Sequence, residues 1–102
     1  MILKIAELTG WIKCNHQTCQ GWISPEGYHK ESGLPYWIED ESACFRDLIP
    51  YFDEWHIMKR LNHNVEFFGW KFLSNVTTQC LGEHAVARAI CTAFLKLKGE
   101  NL

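Results

Sequence analysis

Glu83 to Lys98 reads EHAVARAICTAFLKLK. Val86, Ile90, Phe94 and Leu97 recur at helical spacing, with Ala87, Ala89, Cys91 and Ala93 beside them as small residues. Glu83 stands at the positive end of the helix dipole and Lys96 and Lys98 at the negative end, and Gly99 supplies a C-terminal stop. A narrow apolar stripe flanked by alanines suits close packing on a sheet. The rest of the chain must therefore supply strands.

Working outward, Val65 to Leu73 (VEFFGWKFL) is rich in aromatic and branched residues and reads as a strand. Gly69 in its middle marks a bulge or a tight turn. Ser74-Asn75 is the expected hairpin tip, with Val76 to Cys80 as the returning strand, and Asn62-His63-Asn64 is a turn. Upstream, Asp40 is an N-cap, and Glu39, Asp40 and Glu41 complement the dipole of a helix that they open. Cys44, Leu48, Tyr51 and Trp55 form one apolar stripe, and Phe45, Ile49 and Phe52 form a second. Pro50 interrupts the pattern, since proline lacks a backbone donor and clashes with the preceding turn. The expectation is a helix over 40–49, a bend, and a second helical piece over 50–60 that ends on Lys59 and Arg60.

Tyr28 to Pro35 reads as a surface loop and Ser24-Pro25-Glu26-Gly27 as a turn. Trp11 to Cys14 and Gly21 to Ser24 pair as a hairpin around Asn15-His16-Gln17-Thr18. Ile2 to Leu8 nearly alternates but is taken as a short helix stopped by Gly10. The order is helix, hairpin, Pro-broken helix, hairpin, helix: an α+β fold with a small antiparallel sheet layered with helices, in a single domain over 1–102.

The chain has 102 residues, 47% hydrophobic and 14% aromatic, enough for one modest core. Ten Lys plus Arg against twelve Asp plus Glu leave a formal charge of -2, without the basic footprint that direct nucleic-acid binding needs. The opening MILKIAELTG reads neither as a secretory signal nor as a membrane span. A cytoplasmic protein with free thiols is expected, the five cysteines being an odd number.

No local sequence carries a catalytic signature, and a non-enzymatic protein is expected. The densest chemical cluster is Cys14, His16 and Cys19 on the first hairpin tip, which could hold zinc. A structural zinc site needs a fourth ligand, and no second close pair follows, so no cofactor is required. Trp22, Tyr28, His29, Tyr36 and Trp37 bracket one aromatic-rich segment. Such residues anchor protein interfaces, and they equally roof small cores.

Several segments together resemble small phage proteins of the phage ABA-sandwich-domain type. They are IAELTG near the N-terminus, GWISPEGYHKESGLPYW, IEDESACFRDLIPYF and HAVARAICTAFLKL. The matching features are Gly21-Trp22, Pro25-Glu26-Gly27, Pro35-Tyr36, Asp40, Trp70 and Arg88 to Leu95; Pro50 and the Cys14–Cys19 tip depart from the pattern. The resemblance implies a helix–sheet–helix layering and a phage or prophage origin, and it carries over no catalytic residue. It implies action in the cytoplasm of a bacterial host, on a host protein of a defence system, as anti-CRISPR-like factors act. The expected contacts are Trp22, Tyr28, His29, Tyr36 and Trp37. A second class is a sponge for a nucleotide signal, with Arg46, Arg88 or Lys71 near a phosphate; a third is a zinc-stabilised interaction module. A homodimer is compatible with this many aromatics.

Overall fold

A computed structural model describes residues 1–14, 21–30 and 33–99. The chain forms two compact units, Met1–Pro35 and Tyr36–Leu102. Among the described residues, three α-helices and two three-stranded antiparallel sheets place it in the α+β class.

In the first unit, helix α1 spans Ile2–Thr9. Gly10 ends it at φ +94°, a left-handed conformation that costs glycine little. The Trp11 amide donates to Ala6 O at 2.9 Å and the Gly10 amide to Glu7 O at 3.3 Å, the paired bonds of a Schellman cap. Strands β1 (Ile12–Lys13), β2 (Trp22–Ile23) and β3 (His29–Lys30) make the first sheet, in that order. The expected hairpin is present, with Ile12 opposite Ile23 and Lys13 opposite Trp22. His29 and Lys30, expected in a loop, pair back onto β2 instead. The reason is local: the Ser24–Gly27 turn closes with the Gly27 amide on Ser24 O at 2.8 Å, and Ser24 Oγ accepts the Tyr28 amide at 3.1 Å. That reversal leaves the next residues beside β2.

The second unit opens with helix α2, Glu41–Asp47, and Asp40 Oδ1 caps it by accepting the Ala43 amide at 3.1 Å. Pro50 sits at the second position of a single 3-10 turn, Ile49–Tyr51, where its missing N–H leaves no bond unmade. The chain then becomes strand β4, Glu54–Arg60, and not the second helical piece expected over 50–60. The i,i+4 spacing of Tyr51 and Trp55 suggested a helix, but Trp55 and Ile57 also satisfy a period of two. Seven residues of β4 pair with β5, which satisfies their backbone groups across the ladder.

Strand β5 (Asn64–Lys71) is central, and β6 (Ser74–Leu81) flanks it on the other side. The hairpin tip is Phe72-Leu73, two residues earlier than expected, because Lys71 already pairs with Ser74. Val65, Phe67 and Gly69 alternate onto the buried face. Gly69 forms no bulge; it keeps register with Trp55 and Val76. Helix α3, Ala85–Leu97, covers this face, and Thr78 Oγ1 on β6 donates to its Ala89 O at 2.8 Å. Every residue from Ala85 to Leu95 except Arg88 and Thr92 is buried, so the apolar surface of α3 is wider than its Val86–Ile90–Phe94 stripe. Cys44 ties α2 to α3: its thiol donates to Trp37 O at 2.9 Å and lies 3.8 Å from Cys91 Sγ.

Candidate functional site

Two features of the second unit stand apart from its core, at opposite ends of the second sheet. The first is the β5–β6 tip. A two-residue hairpin turn with positive φ at its first position favours glycine there. This chain places Phe72 at φ +56°. Phe72 and Leu73 are 86% and 89% exposed, so neither ring nor branch repays the strain by burial within the chain. Asp53 holds the turn: its Oδ2 accepts the Phe72 amide at 2.8 Å, and Lys71 Nζ lies 3.6 Å from its Oδ1. The result is a fixed turn that presents two adjacent apolar side chains to solvent.

The Phe72 amide, helped by Lys71, holds the Asp53 carboxyl below its ordinary range against the opposing effect of desolvation. A depressed folded-state value means that this contribution is complete above the unfolded carboxylate range and is lost as pH falls through the folded value. Acidification should therefore loosen the tip before the core. Amide exchange by NMR should show Phe72 losing protection at low pH while Phe67 keeps it, and Asp53→Asn should remove that pH dependence. Equal behaviour of the two amides would contradict the assignment.

The second feature is a cleft of about 500 Å³ at the other end of the sheet. The β4–β5 turn and the N-terminal end of α3 form its walls, and the Gly82 amide bonds His63 O across them at 3.2 Å. Lys59, Arg60, His63 and His84 line it, with Glu41 as an acid and Asn64 as an amide. Asn62, His63 and His84 all hold positive φ, between 57° and 61°. Among the described residues no side chain caps α3, and its first turn holds no acidic residue. Arg60 is shared, with Nε 3.1 Å from Glu66 Oε1. The side-chain oxygen of Asn64 is buried and has no hydrogen-bond partner among the described residues.

No family model, curated protein or solved structure matches the chain.

The residues singled out from sequence fall in different environments. Tyr28 and Tyr36 are 69% and 64% exposed, His29 is exposed on β3, and Trp22 is half-buried with Lys13 Nζ 5.9 Å from its ring. Trp37 is 0% exposed, and its Nε1 donates to Asp47 Oδ2 at 2.9 Å. It belongs to the core and offers no contact surface, because the turn before α2 folds the indole inward. Cys14 is buried and disulfide-bonded, so the reading of five free thiols fails there, and its sulfur is not a zinc ligand while that bond stands. His16 and Cys19 lie outside the described residues. Among the described residues, no group of three or more His, Cys, Asp or Glu is placed to hold a metal.

Cys44, Cys80 and Cys91 are free. The hydrogen bond with Cys91 and then burial push the Cys44 thiol far up, and burial raises that of Cys80, which disfavours the nucleophilic thiolate. The cations expected near a phosphate are committed elsewhere. Arg46 forks onto Asp47 with two 2.8 Å bonds, Lys71 pairs with Asp53, and Arg88 donates to Glu83 O at 2.9 Å and to Leu81 O. Among the described residues, no helix is long and apolar enough to cross a membrane.

Neither the tip nor the cleft was visible as a site in the sequence. The available signal for the tip was the pair Phe72-Leu73 at a strand end with no Gly, Asn or Asp between the strands. The cleft joins residues from Glu41 to Val86, and no local motif links them.

Proposed function

We infer that this chain is a small non-enzymatic binding protein that docks on another protein through the β5–β6 tip. The observation that carries the reading is the exposed Phe72-Leu73 pair, held by Asp53 at a turn position that favours glycine. Apolar side chains on a fixed turn lose little freedom on binding, and a hydrophobic pocket on a partner would desolvate both. Exposed Tyr28 and Tyr36 are further contact candidates. The resemblance to phage ABA-sandwich-domain proteins supports a bacterial host protein as the partner class. A component of a defence system, met in the host cytoplasm, is the specific partner proposed.

Phe72→Gly with Leu73→Ser tests the reading. Glycine relieves the positive φ, so the double variant should keep or gain stability, by about 0.5–1 kcal/mol at most. Binding to a partner purified after capture from host lysate should weaken by at least about tenfold, as measured by biolayer interferometry. A double variant that binds like the parent protein would remove the tip from the interface. Tyr28→Ser and Tyr36→Ser, measured in parallel, report on the other candidate contacts.

A further inference from the structure

We propose that the cleft between the β4–β5 turn and the start of α3 binds a small phosphorylated molecule of nucleoside-monophosphate size. The volume of about 500 Å³ falls within the range of small-molecule sites. Its polar lining is mainly basic and amide, and four of its side chains (Lys59, Arg60, His63 and His84) can donate to phosphate oxygens. The uncapped first turn of α3 opens onto the same space at Ala85 and Val86, with backbone N–H groups that no described side chain satisfies.

The acceptors in the lining, the Glu41 carboxylate and the Asn62 amide oxygen, add a separate requirement. They call for hydrogen-bond donors, and a bare inorganic anion supplies no strong donor to them. A phosphate ester with hydroxyl or amine groups satisfies both demands, with its phosphate toward the helix and its donors toward Glu41 and Asn62. Glu41 opposes the phosphate charge and sets the polarity of the cleft: one side takes the anion, and the carboxylate side takes donors. Arg60 contributes less than its charge suggests because Glu66 shares it at 3.1 Å. Lys59 is therefore the main cation of the site.

The test is titration of the full chain with adenosine monophosphate, inorganic phosphate and adenosine, read by amide chemical shifts and calorimetry at fixed ionic strength. The monophosphate should shift the amides of Ala85, Val86 and Asn64 together. Phosphate should shift only the helix amides and bind more weakly, and adenosine should bind least. Lys59→Gln should weaken the monophosphate by about tenfold, whereas Glu41→Gln should tighten it several-fold. A gain from Glu41→Gln cannot come from misfolding, so it keeps the proposal open to refutation if Lys59→Gln destabilises the chain. Absence of saturable shifts at these amides, shifts matched by sodium chloride, or affinity unchanged by both substitutions would overturn it. The docking tip lies at the far end of the sheet, so either result leaves that reading to its own test.

Discussion

Trp37→Ala should abolish cooperative folding of the second unit or bring it close to doing so. The indole is fully buried, and large-to-small changes at such aromatic sites cost about 3–5 kcal/mol. Small domains hold roughly 5–15 kcal/mol in total, and one of this size sits toward the low end. The change also removes the donor that Asp47 Oδ2 receives at 2.9 Å. Urea denaturation followed by circular dichroism should show a large loss in midpoint or no transition at all. Tyr36→Ala, one residue earlier and exposed, should stay within about 0.5 kcal/mol of the parent. A Trp37→Ala protein with a midpoint near that of the parent would refute the core assignment.

Trp37→Phe refines the test, since it keeps most of the burial and deletes only the N–H. Desolvation raises the Asp47 carboxyl, but the hydrogen bonds from Arg46 and from Trp37 outweigh it and hold the group low. Stability from Asp47 is thus present above the unfolded carboxylate range and is lost as pH falls through the folded value. Trp37→Phe should weaken that acid dependence.

Gly69→Ala should destabilise the sheet strongly even though alanine suits a strand better than glycine does. A Cβ at this position would lie 2.5 and 2.6 Å from Cδ1 and Cε1 of Phe52 and 2.9 Å from Cε1 of Phe67. Both rings are buried and pack edge to face with centroids 5.2 Å apart, so neither can retreat without disturbing the other. Overpacking of this kind costs about 1–3 kcal/mol. Thermal unfolding should fall by roughly 4–8 °C for each kcal/mol in a unit of this length. Combining Gly69→Ala with Phe52→Leu, which clears the nearer atoms, should recover part of the loss, a coupling that a mere propensity effect would not show. An unchanged or raised melting temperature for Gly69→Ala alone would mean that the rings move freely.

These two positions also mark where sequence reading succeeds and where it stops. Gly69 is conspicuous in an aromatic run, and its presence demands a cause. Period and propensity offer a bulge or a turn as that cause, whereas the cause is a ring donated by Phe52 from outside the strand. Trp37 is one of several aromatics in a short segment, and nothing local separates it from Tyr36. Burial divides them because only Trp37 has a hydrogen-bond partner on α2 and a place in the core.

The sequence by itself determined the α+β class, the helices near 2–9 and 85–97, the Asp40 cap, the break at Pro50 and the pairing around the first hairpin. Each is written in local chemistry: helical spacing, a capping oxygen, a missing donor, a turn composition. Tertiary structure decided the rest. Residues 54–60 became a strand because β5 offered a complete ladder, which no seven-residue window can reveal. The Phe72-Leu73 tip follows from the register of β5 with β6, and the cleft exists only because Lys59, His63 and His84 come to line one space from turns distant in sequence. Local preferences select elements of structure, but sites arise from the long-range packing that satisfies backbone groups and buries apolar area, and that packing is a property of the folded chain.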